Sequence, residues 1–361
     1  MNREEFVALT IFTSYFAIII ALFVLILTRL YDSPSRHERR RTRWVFKLLA
    51  IGSLAHTWRH MFSFLVWSFR SYEDSLGQET SGLPKMTRLT SWLIGSSLFE
   101  QAWAAVCFGP FNWWWSQQLC LYTVGAWTVF LVVKGREHGV RHIWAYMLLG
   151  QLVAISVASN LFYLALILRP TTPDPKLRKS KDAMLAAPAS LYIPVFLSLA
   201  TVMYSPHTTV QDRTFLCNLL AMHALTFIPL ITPPISGPLP RISFGALTAF
   251  LSLLSFMLHV RASLHALHSI SLNDGEISSL RTWTTFASNA WNVLHAHHPA
   301  QSSIGWDVVW TILSLSVWST VTQSQNALSL TTSFLFSVGS VAPWIFNCSG
   351  VERPPKRTRK S

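Results

Sequence analysis

The chain has 361 residues, of which 51% are hydrophobic and only 12% are charged, and its mean hydropathy is +0.35. Soluble proteins carry about 25% charged residues, so this composition excludes an ordinary soluble domain. The formal net charge is +13, but the basic residues cluster beside apolar segments and no zinc-finger or groove-reading pattern accompanies them. Such clusters are typical of the positive-inside rule and of anionic lipid, so we expect a lipid bilayer and no nucleic acid as partner.

Apolar segments of about twenty residues recur along the chain, and each could cross a hydrocarbon core about 30 Å thick. Backbone groups in lipid must be satisfied within the segment, so each is predicted as a helix. The predicted fold is all-α, a polytopic transmembrane helical bundle with about nine spans, in the range of roughly 8 to 11. The candidate spans are 6–30, 44–67, 89–109, 118–134, 143–168, 188–204, 214–232, 242–261, 304–322 and 327–347.

The first apolar segment follows the acidic start MNREEF and precedes the arginine-rich stretch SPSRHERRRTR. It lacks a small-residue cleavage site, so it is predicted to be an anchor and not a signal peptide. An odd number of spans would place this arginine-rich stretch and the basic tail on the same, cytosolic, side. The whole of 1–361 is predicted as one transmembrane domain, with basic cytosolic loops at 31–43 and 169–187, a long polar loop at 262–303 and a basic cytosolic tail at 348–361.

The motifs of several enzyme classes are absent from the sequence. There is no DDxxD or paired-aspartate motif, which argues against magnesium-assisted ionisation of a diphosphate and against a membrane prenyltransferase. DxDD, GxSxG, HExxH and Walker motifs are also missing. The four cysteines show no CxxC spacing. We therefore expect no metal site and no cofactor.

The segment LAHTWRHMF carries His56, Arg59 and His60 at the spacing i, i+3, i+4, which places them on one helix face. This face is either a polar wall that binds or protonates a substrate, or a charged helix end packed against loops. A haem site would need a second histidine helix, for which His223 or His259 are candidates.

The segment SLFEQAWAAVCF places Glu100 near the middle of a candidate span, with Gln101 and Trp103 beside it. Ionisable groups in membrane spans are costly and are functional candidates by default. A carboxylic acid in apolar surroundings can keep its proton until it donates it. The alternative is an ion pair, to Arg59 or another basic residue, that only locks two helices together.

The segment SSIGWDVVW places Asp307 in the first turn of a predicted span, next to Trp306 and three residues before Trp310. The helix dipole stabilises an acid at such a position, so a structural and a catalytic interpretation both stand. Glu73 lies in the loop FRSYEDSLGQ, either as a solvated residue or as a substrate contact. FGPFNWWWSQQ is most simply an interfacial aromatic belt.

The combination of HTWRHMF, SLFEQAW with FGPFNWWW, and HPAQSSIGWD resembles the fungal integral-membrane terpene cyclases of meroterpenoid biosynthesis, of the ascochlorin, ascofuranone and macrophorin type. The likeness covers most of the chain in motif order and hydropathy. It implies cyclisation of a farnesyl chain on an aromatic or cyclohexenone head, started by protonation of a terminal epoxide or alkene without a metal. Site residues are carried over only at positions 100 and 307.

The predicted function is therefore a membrane-bound terpene cyclase, with Glu100 as proton donor and Asp307 as its more readily ionised partner in one cavity. Trp and Phe faces would stabilise the moving carbocation. The expected partners are the bilayer, a hydrophobic prenylated small molecule and other membrane-bound pathway enzymes, in the endoplasmic reticulum. Predicted substrate contacts are His56, Arg59, His60, Glu73, Gln101, Trp103, Trp306 and Trp310.

Two other functions stay open. A polytopic transporter would also carry intramembrane carboxylates, but its sites usually lie on broken helices within paired repeats, and no repeat is visible in the sequence. A haem-binding electron carrier would need histidines on two helices.

Overall fold

The computed structural model of the chain describes residues 2–31, 40–77, 82–169, 186–210, 213–233, 240–274, 280–323 and 328–348. Within these ranges the fold is helical apart from one two-stranded antiparallel ladder, so the predicted all-α class is confirmed. Most of the basic segments predicted at 31–43, 169–187 and 348–361 lies outside the described residues.

The elements, in chain order, are α1 (Arg3–Tyr31), α2 (Arg40–Leu76), α3 (Lys85–Gly95), α4 (Leu98–Cys107), α5 (Pro110–Leu121), a π-helical stretch (Tyr122–Trp127), α6 (Thr128–Glu137), α7 (Ile143–Leu152), α8 (Ile155–Leu168), β1 (Ala186–Ala187), α9 (Ala189–Tyr204) with a 3-10 turn (Ser205–His207), α10 (Thr214–Leu225), α11 (Ile228–Ile231), β2 (Ile242–Ser243), α12 (Phe244–Asp274), α13 (Leu280–Asn292) with a π turn (Val293–His297), α14 (Pro299–Gln323), α15 (Leu328–Phe336) and α16 (Val338–Cys348).

Six helical segments of the described chain are long and apolar enough to cross a membrane, so the chain is a multi-pass membrane protein by length and composition. They are Arg3–Tyr31, Pro110–Glu137, Ala189–His207, Thr214–Ile231, Phe244–Ser271 and Pro299–Thr322.

Helix α2, with 37 residues, is a seventh long helix. It runs antiparallel to α14 over the length of α14. The ring of Trp67 lies 4.3 Å from that of His298 at one end, and the ring of Phe46 lies 6.1 Å from that of Trp318 at the other. The described chain thus has seven long helices, and the predicted count of about nine is not confirmed. Two of the ten candidate spans fold back on themselves, and a third is broken into two short helices.

The candidate span 143–168 is a helical hairpin and not one helix. Arg169, after α8, donates a hydrogen bond from Nη1 to the carbonyl oxygen of Gly139, before α7, at 2.8 Å. Both ends of the pair therefore lie at the same level. The 10 residues of α7 and 14 residues of α8 extend about 15 and 21 Å, less than the hydrocarbon thickness. Gly150 allows the close approach, since a Cβ there would lie 2.8 Å from Ile155 Cδ1.

The candidate span 327–347 is a second hairpin, made of α15 and α16 with a left-handed residue, Ser337 (φ 74°), between them. Helix α16 returns to the level at which α14 ends. Its Phe346 stacks on Phe130 with ring centroids 3.7 Å apart, and Phe130 in turn contacts Trp318 of α14.

The candidate span 89–109 is broken at Ser96 and Ser97 into α3 and α4, which lie at one level of α2. The hydroxyl of Ser68 accepts a hydrogen bond from Trp92 Nε1 of α3 and donates one to Gln101 Oε1 of α4. The candidate span is therefore two short helices of 11 and 10 residues and not one long helix.

The prediction of a long polar loop at 262–303 is wrong, because most of this range is helical. Helix α12 continues to Asp274, and α13 and the π turn follow. The stretch 280–292 is polar on average but strongly amphipathic: it buries Thr282 and Ala290, and Trp115 Nε1 donates a hydrogen bond to the carbonyl oxygen of Ala290 at 2.9 Å. The sequence analysis missed this helix because its mean hydropathy is low, since only one of its faces packs against the bundle.

The described chain ends before each of the three basic segments at the same end of the bundle, here called the Arg29 end. Arg169 Nη2 donates a hydrogen bond to the carbonyl oxygen of Arg29 at 3.5 Å, so α1 and the α7–α8 hairpin finish together. The α15–α16 hairpin finishes there too, beside the end of α14. The placement of the three basic segments on the cytosolic side stays a prediction.

Candidate active site

A cavity of about 390 Å³ lies among α1, α2, α4, α5, the tip of the α7–α8 hairpin, α10 and α14. Its volume is in the range of about 300–1,000 Å³ that is usual for small-molecule sites. Most of its wall is apolar. Both carboxylic acids that the sequence predicted as a pair, Glu100 and Asp307, line it. The polar residues of the wall are Tyr15, Thr57, Glu100, Ser116, Cys120, Thr123, Gln151, His223, Thr226, Ser303 and Asp307.

Helix α14 shows which predicted contacts face the cavity. Ser303 and Asp307, four residues apart, lie on the cavity wall. Trp306 and Trp310 form the same i, i+4 pattern three positions later, which rotates them roughly 60° around the helix axis. These two tryptophans therefore do not line the cavity, contrary to the sequence prediction.

Helix α2 repeats this pattern. Thr57 and Met61 line the cavity, whereas His56 and His60 share the next face, with ring centroids 5.5 Å apart. Arg59 is exposed. The predicted shared face of the three residues is thus present, but it points away from the cavity.

A histidine–tryptophan cluster forms on that outer face from His56, His60, Trp291, His295, Trp306 and Trp310. Trp310 Nε1 donates to His56 Nδ1 at 3.2 Å, and the ring of Trp306 lies 4.4 Å from the ring of His56. In the part of the chain that the structure describes, no group of three or more His, Cys, Asp or Glu side chains is arranged to hold a metal ion.

Two further predicted contacts have structural partners elsewhere. Gln101 accepts the hydrogen bond from Ser68, and Glu73 forms an ion pair with Arg88 beyond α2. Neither lines the cavity. Of the predicted substrate contacts, Trp103 alone does, together with the two acids.

Glu100 lies in the first turn of α4 and not at mid-span, because the break at Ser96 and Ser97 starts a new helix just before it. It is half-buried. Among the described residues its carboxyl group has neither an ion-pair nor a hydrogen-bond partner, so the predicted alternative of a locking ion pair with Arg59 finds no support. Glu100 also lines an outer groove of about 860 Å³, as do Phe99 and Leu216, and it therefore lies where groove and cavity meet.

Asp307 differs from Glu100 in its position within the helix, its burial and its hydrogen bonds. Helix α14 begins at Pro299, so Asp307 lies more than two turns inside it and not in its first turn. It is 3% exposed. Its Oδ2 accepts a hydrogen bond from the backbone N–H of Ile155 at 2.7 Å, and its Oδ1 accepts one from the N–H of Ser156 at 2.8 Å. Asp307 thus caps the N-terminus of α8 from another helix, and its negative charge faces the positive end of that helix dipole.

At the other side of the hairpin tip, a side chain also bonds to a free backbone group at the helix end. The hydroxyl group of Tyr15 donates a hydrogen bond to the carbonyl oxygen of Leu152, at the end of α7, at 2.6 Å. Broken backbone at membrane depth is tolerated only where protein or a lined cavity satisfies it. Tyr15 and Asp307 together meet this requirement at the cavity wall.

His223 is the cavity residue that the sequence did not assign to the site. It lies in the last turn of α10, and its ring meets that of Trp103 edge to face, with centroids 4.9 Å apart. Sequence reasoning considered it only with His259 for haem, but His259 is bonded to Gln117 and does not line the cavity. A signal was present, since a histidine three residues before a threonine interrupts an apolar segment that ends in IPLITPP.

No protein-family description, curated protein or solved structure matches this chain. The arguments for its function therefore come from the residues and from the cavity.

Proposed function

We propose that the chain is a membrane-bound, proton-initiated terpene cyclase. Its substrate is a farnesylated aromatic or cyclohexenone compound, whose terminal epoxide or alkene receives the proton. The observation that carries the proposal is Glu100, a carboxyl group without a charged partner among the described residues, on the wall of a mainly apolar cavity between long apolar helices.

The surroundings of Glu100 suit a proton donor. No cation and no hydrogen-bond donor of the described chain occupies its carboxyl oxygens, so the group is free to approach a substrate. Its place at the junction of groove and cavity allows a reactive group to reach it from either space.

The wall can also guide a carbocation. Trp103, one helical turn after Glu100, and Phe99 present aromatic rings to the cavity. Each aromatic face contributes about 2 kcal/mol to a desolvated cation. The remaining wall is mostly aliphatic, which keeps water from the reacting chain.

Asp307 takes a positioning role in this proposal. Both of its oxygens accept backbone hydrogen bonds, so its charge holds the hairpin tip that forms one wall. Because both oxygens are occupied by these bonds, Asp307 is less free than Glu100 to reach a substrate.

Transport is the second candidate function, because half-helices that meet at an intramembrane cavity are typical of secondary transporters. In transporters the free ends of such half-helices bind ions or anionic groups. Here Tyr15 and Asp307 occupy the hairpin ends, which favours a fixed wall over an ion site. Uptake of labelled substrate into sealed vesicles, without conversion, would support transport instead.

The direct test is incubation of membranes containing the protein with a farnesylated phenol and with its terminal epoxide. We expect cyclised products of the same mass, identified by NMR, and none from membranes without the protein. Excess EDTA should leave the yield nearly unchanged. Loss of activity that magnesium restores would indicate a diphosphate enzyme instead.

We place the protein in the endoplasmic reticulum, beside other membrane-bound enzymes that make and consume the prenylated compound. The Arg29 end would face the cytosol, since the basic segments leave the described chain there. Glycosylation sites inserted in 31–43, 169–187 and 348–361 should all stay unmodified, whereas a site between α9 and α10 should be glycosylated. Modification of one basic segment alone would contradict this orientation.

A further inference from the structure

His223 is the strongest unassigned chemical group on the cavity wall, and its hydrogen bonds define its tautomer. Its Nδ1 lies 2.7 Å from the carbonyl oxygen of Leu219, one turn earlier in α10. A carbonyl only accepts, so Nδ1 carries the hydrogen. In neutral imidazole the other nitrogen is then an unprotonated acceptor. Within the described chain no hydrogen bond involves Nε2.

The backbone beneath this ring is fixed. The carbonyl oxygen of His223 accepts a hydrogen bond from Thr226 Oγ1 at 2.6 Å and a longer one from Gln151 Nε2 at 3.4 Å. Gln151 belongs to α7 near the hairpin tip and also donates to Thr226 Oγ1 at 2.9 Å. Thus α10 and the hairpin hold His223 in one orientation, with its ring against Trp103.

We infer that His223 is the base that ends the cyclisation, accepting a proton at Nε2 from the carbon next to the last carbocation. This inference rests on the proposed function. The C–H bond breaks, its electron pair becomes the new C=C bond, and the proton forms an N–H bond on His223. Glu100 has already given one proton to the substrate, so the overall reaction is an isomerisation and needs no co-reactant.

The charges after the reaction are also balanced. Glu100 is left as a carboxylate and His223 as an imidazolium, on the wall of the same cavity. Trp103 lies three residues after Glu100 and contacts the His223 ring, so an aromatic group stands beside the new cation. Transfer of the proton from His223 to Glu100, directly or through water, restores the starting state.

The test compares products of the wild type, His223→Phe and His223→Gln. The phenylalanine variant keeps an aromatic ring against Trp103 but has no base, whereas glutamine keeps a polar side chain. We expect the alkene product to fall about 10²-fold in both variants. Alcohols heavier by one water should rise, because the carbocation then reacts with water. His207→Phe, at an exposed turn away from the cavity, should give the wild-type product pattern.

A second measurement does not depend on turnover. Diethyl pyrocarbonate acylates unprotonated histidine nitrogens, and peptide mapping by mass spectrometry reports each site. We expect modification of His223, and protection of it by farnesyl dimethylamine, whose ammonium form resembles the carbocation. Exposed His207 should react equally with and without the amine.

Two results would overturn the inference. An unchanged ratio of alkene to alcohol in His223→Phe, with normal yield of folded protein, would show that another group takes the proton. Failure of His223 to react while His207 does would show that Nε2 is not available in the cavity. Absence of any cyclised product from the wild type, by contrast, would overturn the proposed function itself.

Discussion

Two acids on one cavity wall show how differently the fold can treat a carboxyl group. Glu100 lies in the first turn of a ten-residue helix, half-buried, with no hydrogen-bond or ion-pair partner among the described residues. Asp307 lies deep inside a 25-residue helix with both oxygens bonded to the start of α8. The first carboxyl group makes no bond within the described chain, and the second holds one wall of the cavity in place.

The two acids differ in their hydrogen bonds, and this difference, not their depth in the bundle, separates a candidate for chemistry from a structural residue. Sequence reasoning placed Glu100 at mid-span and Asp307 at a helix start, and it assigned the proton to the deeper acid. The positions within the helices are reversed in the fold, but the carboxyl group of Glu100 is the one of the two that has no hydrogen bond within the described chain. Substitutions at the two positions should therefore have opposite signatures.

The largest effect is expected for Glu100→Gln. A positioned proton donor contributes about 10²–10⁴-fold, so turnover should fall by that factor. No bond of Glu100 within the described chain is lost, so the yield and melting temperature of the purified protein should stay at the wild-type level. Product formation per mole of folded protein is the measurement.

The matched control for that variant is Glu137→Gln, which removes a carboxylate paired with Lys134 at the Arg29 end. Its turnover should equal that of the wild type. If Glu100→Gln folds normally and also turns over normally, Glu100 is not the acid.

The second effect, on stability, is expected for Asp307→Asn. The amide oxygen can accept from one N–H of α8, but the amide nitrogen then faces the other N–H, which is left buried without a partner. Hydrogen bonds to charged groups contribute about 1.5–3 kcal/mol each, so we expect a loss of about 2–4 kcal/mol and a lower Tm in detergent.

Ser303→Ala is the control for Asp307→Asn, because Ser303 lies one turn earlier on the same face and donates a single bond to the carbonyl oxygen of Thr57 at 3.1 Å. Its loss should be about 1 kcal/mol. An Asp307→Asn protein with wild-type Tm and strongly reduced turnover would make Asp307 the acid instead.

The helical class and most of the long helices were predictable, because hydropathy reports directly on burial in lipid. Three segments were not predictable as hairpins or broken pairs. Two half-helices of 10 and 14 residues, as in α7 and α8, have the same total hydropathy as one span. Their reversal depends on side chains far away in sequence, Tyr15 and Asp307, that satisfy the turn.

The site was predictable in part for a similar reason. Acids in apolar segments stand out, so Glu100 and Asp307 were found. The spacing of His56 and His60 correctly predicted a shared face, but spacing alone does not say which face points inward. The start of α14 could have been placed better, since Pro299 favours the first turn of a helix and puts Asp307 two turns inside.

A smaller effect is expected for Tyr15→Phe, which removes only the hydroxyl that bonds to Leu152. The ring contact with Phe99, at 5.6 Å, is kept. We expect a stability loss of about 0.5–1.5 kcal/mol and faster amide hydrogen exchange at the hairpin tip. Tyr192→Phe, which removes an exposed bond to Pro240, should not change exchange at the tip. Unchanged exchange in Tyr15→Phe would mean that Asp307 alone holds the hairpin.

The smallest effect is expected on the neighbouring face of the same two helices, which does not line the cavity. Trp310→Phe removes the hydrogen bond to His56 Nδ1 and leaves an aromatic ring in the histidine–tryptophan cluster. Since neither residue lines the cavity, turnover should stay within about twofold of the wild type, the range usual for substitutions away from a site. The measurement is turnover of Trp310→Phe and of His56→Phe beside Glu100→Gln. If turnover of either variant falls as far as that of Glu100→Gln, the substrate passes between α2 and α14, and both faces belong to one site.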